Sequence, residues 1–316
     1  MRIVLPIVEA GPAVETTELT KAYGRVRALD GLTMTVARGE VFGLLGPNGA
    51  GKTTVVKLLL GLARATGGGG RVLDAPLGDR PTRRRIGYLP ELFRYQPWMR
   101  AREVLALHCE LARLPRSEWP AAIERSLALV GLADRADDLV GTFSKGMQQR
   151  LGLGVAMLGS PELVILDEPT SALDPVGRND VRAIIRAARE RGTTVFLNSH
   201  LLTEVERVCD RVAIVDRGRV IEEGRLDEVL GDPGVRVQAT GLDEAAFAAL
   251  ERFGPIQQDG EWLSIQPFDP ARVPDLVDAI VGAGGRIHEV DAGRRSLEER
   301  FLALLARGDD TRNARP

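Results

Sequence analysis

A chain of 316 residues with 44% hydrophobic content has enough apolar side chain for one large α/β domain and a smaller companion. Its 42 basic and 44 acidic residues leave a formal charge of −2, which argues against a general polyanion-binding surface and so against nucleic acid as a partner. The longest apolar runs, VVKLLLGLA and LVIL, fall far short of the roughly 20 residues that a membrane-spanning helix needs. The N-terminal MRIVLPIVEAGPAVE, with a very short apolar run and an early Glu9, is a poor secretory signal, so a cytoplasmic protein is expected. Cys109 and Cys209 have no partner at metal or redox spacing and read as reduced structural thiols.

In chain order, Leu32, Met34 and Val36 alternate with Thr33 and Thr35, the period of a strand with one covered face. VFGLL, uniformly apolar, predicts a strand buried on both faces, and a glycine-rich turn then leads into the helical KTTVVKLLLGLA. GGGG at 67–70 predicts a loop before a strand, and RPTRRR a solvated surface. From about Pro90 to Gly159 helical periodicity dominates, as in AREVLALHCELARL, AAIERSLALVGL and MQQRLGLGVAML. Two further apolar runs, ELVILDEP and TTVFLNSH, flank the helical RNDVRAIIRAARERG and imply a mostly parallel sheet with a helical insertion. RVAIVDRGRVIEEG predicts a hairpin. Beyond Leu226, strand-like VRVQATG, EWLSIQP and RIHEV alternate with helix-like LDEAAFAALERF, ARVPDLVDAIVGAG and SLEERFLALLARG, the pattern of a small α+β domain, and RGDDTRNARP reads as a frayed end.

GPNGAGKTT, comprising Gly46, Pro47, Asn48, Gly49, Ala50, Gly51, Lys52, Thr53 and Thr54, fits G-x-x-x-x-G-K-[ST] between a buried strand and a helix. Glycines there let backbone N–H groups converge on phosphates, and the helix N-terminus adds partial positive charge. Lys52 is expected to reach the β- and γ-phosphates of ATP, and the Thr53 hydroxyl to hold Mg²⁺. LVILDEPT delivers Asp167 and Glu168 at the carboxyl end of an apolar strand, where open α/β sheets bind ligands. Asp167 would support Mg²⁺ and Glu168 would orient or deprotonate the attacking water. His200, after the next apolar strand, could bond the γ-phosphate; His108 and His288 have no such setting.

In order, KAYG, GPNGAGKTT, IGYLPE, FSKGMQQR, LVILDEPT, SALD and LNSH resemble the motif series of an ABC transporter ATP-binding subunit over about Glu15 to Gly224. The resemblance implies an α/β fold: a P-loop NTPase (RecA-like) core with an antiparallel β subdomain and an inserted helical subdomain, plus a small C-terminal α+β domain. It implies an N-terminal extension at 1–14, a nucleotide-binding domain at 15–225 with its helical subdomain at about 90–159, an accessory domain at 226–306 and a flexible tail at 307–316. By the same resemblance Tyr23 stacks on adenine, Glu91 senses the γ-phosphate and Mg²⁺ shell, Ser144, Lys145 and Gly146 form the signature that caps nucleotide on a partner subunit, Asp174 communicates across a dimer, and His200 is the switch histidine. The implied protein is an ATPase on the cytoplasmic face of a membrane exporter. It would work as a dimer with two ATP at the interface and with a separate integral membrane permease. The rival classes are a non-transport ABC-type ATPase, such as a translation or DNA-repair factor, and an ATP-gated regulatory module of low turnover.

Three residues depart from the family pattern. The signature usually reads Leu-Ser-Gly-Gly-Gln, whereas here Lys145 and Met147 replace its first glycine and its glutamine. A cation at a helix N-terminus costs about 0.3–1 kcal/mol against the macrodipole, so Lys145 makes sense if it faces the partner's nucleotide; the alternative is a lysine directed to solvent. Met147 has no account beyond an apolar replacement. Glu91 stands where glutamine is usual, and an ionised carboxylate cannot donate a hydrogen bond. The run LFRYQPWM after it has two readings, a partner-facing patch or packing within the helical subdomain.

Overall fold

The computed structural model describes residues 11–171, 173–294 and 296–313, with side chains as far as 306 and that of Ala245 excepted. Residues 1–10 of the expected N-terminal extension, and 314–316 of the expected tail, lie outside the described residues, as does Ala172 of SALD. The chain divides into two units between Gly224 and Arg225.

In the first unit, β1 (Val14–Tyr23) and β2 (Val26–Val36) pair antiparallel. Leu32, Met34 and Val36 are buried and Thr33 and Thr35 exposed, as their alternation predicts. There follow β3 (Val41–Leu45), α1 (Lys52–Leu59), β4 (Gly67–Val72), β5 (Ala75–Pro76) and β6 (Ile86–Leu89). Next come α2 (Ala101–Leu111), α3 (Trp119–Leu129) and α4 (Lys145–Ala156). The unit ends with β7 (Leu163–Asp167), α5 (Pro175–Glu190), β8 (Thr194–Asn198), α6 (Leu202–Val208), β9 (Arg211–Asp216) and β10 (Arg219–Arg225). One sheet is antiparallel in the order β2-β1-β4-β5. The other has the order β10-β9-β3-β8-β7-β6, and β9, β3, β8, β7 and β6 run parallel. β3, β7 and β8 are buried at every residue, as their unbroken apolar runs require. Phe42 and Leu44 of β3, Ile165 and Phe196 join Leu19, Met34 and Val56 in one core that binds the two sheets to α1.

Two local expectations need correcting. GGGG at 67–70 is strand, not loop. Glycine is a poor strand former, but Gly68 has φ +66° and a Cβ there would lie 1.9 Å from the Glu18 carbonyl oxygen, so the close approach of β1 demands it. RPTRRR is not wholly solvated: Arg85 Nε donates to Glu162 Oε1 at 2.5 Å, Arg83 Nη2 donates to the Gly61 carbonyl at 2.6 Å, and Thr82 is buried.

The second unit comprises α7 (Leu226–Leu230), β11 (Gly234–Thr240), α8 (Glu244–Leu250), β12 (Ile256–Asp259), β13 (Trp262–Ile265), α9 (Val273–Gly282), β14 (Arg286–Gly293) and α10 (Leu297–Asn313). Its antiparallel sheet runs β12-β13-β11-β14, which with the βαββαβ order is a ferredoxin-like split βαβ. Val235, Val237, Leu263 and Ile265 pack on Leu250, Phe253, Leu276 and Ile280 from the helical side. α10 runs through Asn313, so helix includes much of the segment expected as a tail.

Candidate active site

Because β3, β8, β7 and β6 are parallel neighbours, their carboxyl ends fall on one edge of the sheet. Asp167 is in register with Asn198 across β7 and β8, and Leu89 with Leu166 across β6 and β7. The segments leaving this edge are the glycine-rich turn, Asp167–Glu168, Ser199–His200 and Pro90–Glu91. Four separate stretches of sequence thus converge by topology alone.

Gly46 has no room for a side chain, since a Cβ would meet the Val215 carbonyl oxygen at 2.3 Å. Gly49 and Gly51 have φ of 82° and 107°, and Gly51 caps α1. Such conformations are open to glycine and let a turn present successive N–H groups to an anion. Pro47 is half-buried, Asn48 exposed and Ala50 buried. Lys52, the first residue of α1, is buried, and its Nζ donates to the Gly46 carbonyl at 2.6 Å and the Pro47 carbonyl at 3.2 Å. Burial pushes its pKa down, against the opposing pull of Glu168 and Asp167. Thr53 is exposed beside it and Thr54 half-buried.

Asp167 is buried at the end of β7 and accepts a hydrogen bond from Asn198 Nδ2. Burial raises its pKa, and the charges of Glu91 and Glu168 raise it further against Asn198 and Lys52. Glu168 is also buried, and its backbone has φ 51°, a left-handed conformation unusual for a non-glycine residue. Its carboxylate accepts from the His200 backbone N–H at 2.9 Å and the Ser199 hydroxyl at 3.4 Å. His200 Nδ1 lies 2.7 Å from Glu168 Oε2, while 54% of that imidazole side chain stays open to solvent. The ring therefore engages the acid expected as general base. Asn198 and Ser199 were not singled out by sequence. The signal was present, because a polar residue closing the apolar TVFLN belongs at the ligand edge.

Thr53, Asp167 and Glu91 supply oxygen donors at or beside this edge. Among the described residues no group of three or more His, Cys, Asp or Glu could hold a metal ion by itself. The donors offered by Thr53, Asp167 and Glu91, one hydroxyl and two carboxylates, are of the kind Mg²⁺ takes, which otherwise keeps water and substrate phosphates. Glu91 is exposed, and its charge reaches both Asp167 and Tyr88.

The remaining candidates do not share that edge. Tyr23 ends β1 with 48% of its surface exposed, and Lys21 Nζ sits 4.7 Å from its ring centroid. Ser144 is the N-cap of α4 and accepts from the Met147 N–H at 3.2 Å. Lys145 is the first helical residue and is exposed; a Cβ on Gly146 would meet only Ser144 Oγ, at 3.9 Å. Ser144, Lys145, Gly146 and Met147 line a separate cleft with Leu173 and Asp174, and no phosphate-loop residue lines it. Asp174 caps α5 by accepting from the Gly177 N–H at 2.8 Å. The aromatic run divides into packed and exposed residues. The Phe93 and Tyr95 rings pack tilted by 51° with centroids 5.4 Å apart, and Tyr95 meets His108 edge-on at 5.9 Å, whereas Leu92 and Trp98 are 87% and 72% exposed. Among the described residues no helix is long and apolar enough to cross a membrane.

Residues 29–171 match the ABC transporter family. The chain is 36% identical to the daunorubicin/doxorubicin resistance ATP-binding protein of Streptomyces peucetius, over 95% of this chain and 94% of that one. It is 34% identical to the Nod factor export ATP-binding protein I of Rhizobium meliloti, over 93% and 88%, and 42% identical to an uncharacterized ABC transporter ATP-binding protein of Synechocystis, over 92% and 84%. A solved ATP-binding subunit of an ABC transporter superposes with a TM-score of 0.62 at 32% identity, over 69% of this chain and 91% of that one. A phosphate loop and paired acids on one parallel-sheet edge, together with these likenesses, lead to one conclusion: the chain belongs to the ABC transporter family and is an ATP-binding, ATP-hydrolysing subunit of such a transporter.

Proposed function

We propose that two copies of this chain face each other head to tail, bind two ATP between them, and drive an exporter through a separate integral membrane permease from the inner face of the cell membrane. The export direction is supported by the relatives named for Nod factor export and drug resistance. In this reading 15–225 is the nucleotide-binding domain, with a helical subdomain at about 90–159, and 226–306 is the accessory domain. The observation that carries the ATPase chemistry is the Glu168 carboxylate, held by His200 and Ser199 on the same sheet edge as Lys52 and Asp167.

The split dimer is supported by the second cleft. Ser144, Lys145, Gly146 and Asp174 gather at the N-termini of α4 and α5, away from the chain's own phosphate loop, so they suit a nucleotide carried by a partner. Lys145, costly against its own helix dipole, would gain a phosphate there. The Gly46–Thr54 loop holds the phosphates, Lys52 reaches them, and Tyr23 offers an exposed face to adenine. Thr53 and Asp167, with Glu91 through water, would hold Mg²⁺, which supplies charge neutralisation at the β- and γ-phosphates. Glu168 takes a proton from the attacking water and His200 keeps its carboxylate aligned, the γ-phosphoryl group passing to that water as its bond to the β–γ bridging oxygen breaks and ADP leaves. Glu168→Gln should retain ATP binding and ATP-driven dimerisation while kcat falls about 10²–10⁴-fold; undiminished hydrolysis would remove Glu168 as the base. Purification from detergent-solubilised membranes should bring down a stoichiometric integral membrane protein.

A further inference from the structure

In FSKGMQQR, three consecutive polar side chains after Met147 are anchored in different places. Gln148 Nε2 donates to the Phe143 carbonyl at 3.2 Å, closing the start of α4 on itself. Arg150 Nη1 donates to the Val130 carbonyl at 3.3 Å, and its Nε lies 3.8 Å from Asp180 on α5. Between them, Gln149 Nε2 donates to the Pro169 carbonyl at 2.8 Å.

Pro169 directly follows Glu168, whose φ of 51° only a surrounding framework can hold. Part of that framework comes from β8, where the Asn198 carbonyl accepts from the Glu168 N–H at 2.8 Å. Part is local, the Ser171 hydroxyl donating to the Glu168 carbonyl at 3.2 Å. Proline has no N–H, so its carbonyl is the one backbone group through which Pro169 can be hydrogen-bonded. Gln149 takes that carbonyl from α4, the helix whose first turn carries Ser144, Lys145 and Gly146. From the cap to Gln149 the helix rises only about 7.5 Å, at 1.5 Å per residue. A shift of a few tenths of an ångström at the cap therefore reaches a bond that weakens steeply with misalignment.

We propose that Gln149 is a positioning residue that ties the orientation of Glu168 to the state of its own subunit's α4. This rests on the head-to-tail dimer proposed above, in which α4 of one subunit caps the nucleotide held by the other. Occupancy of one ATP site then tunes the general base of the other, a coupling between sites through one side chain.

The test compares steady-state ATP hydrolysis by the full-length wild type, Gln149→Met, which keeps length without a donor, and Gln149→Lys, which restores one. ATP-driven dimerisation is measured for wild type and Gln149→Met in a Glu168→Gln background. Wild type should show a Hill coefficient above 1. Gln149→Met should lower kcat roughly two- to tenfold, the scale of one neutral hydrogen bond, bring the Hill coefficient to about 1, and leave half-saturating ATP and dimerisation within about twofold. Gln149→Lys should recover part of both losses. An unchanged kcat and Hill coefficient in Gln149→Met, with dimerisation intact, overturns the relay alone, and so does a loss of dimerisation confined to that variant. Absence of dimerisation with Gln149 in place overturns the dimer, and the relay with it.

Discussion

The ion pair behind the site gives the sharpest stability prediction. Arg182 on α5 donates through Nη1 to both Glu204 oxygens at 3.0 Å, with side chains only 13% and 7% exposed, and reaches Asn179 Oδ1 from Nη2 at 3.3 Å. α5 is the next helix after β7 with its Asp167, and α6 follows His200, so the pair locks together the two helices that leave the strands of the site. At this separation the attraction is of order 5 kcal/mol with an effective dielectric of about 20, but most of it offsets desolvation. Removing one partner is costlier than removing both, because it strands a buried charge. Arg182→Met should cost about 3 kcal/mol, the low end for a buried pair given the residual exposure. In a unit of this size that lowers the melting midpoint of the nucleotide-free protein by roughly 6–12 °C. The double variant Arg182→Met with Glu204→Leu should return to within about 1 kcal/mol of wild type. Scanning calorimetry of the three proteins, following the first unit's transition, decides the matter. A single variant that loses less than about 1 kcal/mol, or a double no better than the single, would refute the reasoning.

Two other substitutions address the ligand-facing charges. Asp167→Asn should abolish Mg²⁺-dependent hydrolysis yet raise the melting midpoint without nucleotide. Burial raises the folded-state pKa of Asp167, so its carboxylate costs stability as pH climbs through and above the carboxylate range. That gain should shrink as pH falls and vanish below the ordinary carboxyl pKa of 3.8, where the acid is protonated in both states, and a lower midpoint at pH 7.5 would contradict it. Lys145→Ala should leave the nucleotide-free protein as stable or up to about 1 kcal/mol more stable, by relieving the dipole, while half-saturating ATP rises a few-fold and ATP-driven dimerisation weakens. Unchanged ATP dependence and dimerisation would return Lys145 to a solvent-directed role.

The candidates on the sheet edge were legible because each ends or follows a buried strand and announces itself by type. GPNGAGKTT needs glycines that no ordinary turn needs in that number, and two acids after LVIL make no sense as core. The order of strands was not legible. That β8 lies between β3 and β7 is what turns Asn198 and Ser199 from the end of an apolar run into partners of Asp167 and Glu168. Pairing at long range has no local signature, and neither does Arg182 meeting Glu204 or Gln149 finding Pro169. GGGG failed for the converse reason. Its composition says loop, but the reason for glycine lies in the neighbouring strand.

The choices that look worst locally fall where ligand would arrive in the proposed dimer. Lys52 is a buried cation bonded to its own loop's carbonyls, Asp167 a buried acid pushed towards protonation, Glu168 a non-glycine residue with φ 51°, and Lys145 a cation at a helix N-terminus. None of these helps a free subunit, and the first three converge on one sheet edge while the fourth sits in the second cleft. Phosphate would offer Lys52 and Lys145 an anion in exchange for backbone carbonyls and an opposing dipole, and a divalent cation would offer Asp167 the opposite charge that Lys52 alone supplies too little of. A nucleotide spanning both surfaces would relieve costs in two subunits at once. Its free energy of binding would then go preferentially into joining them, which would convert ATP binding into closure and loss of the γ-phosphate into release.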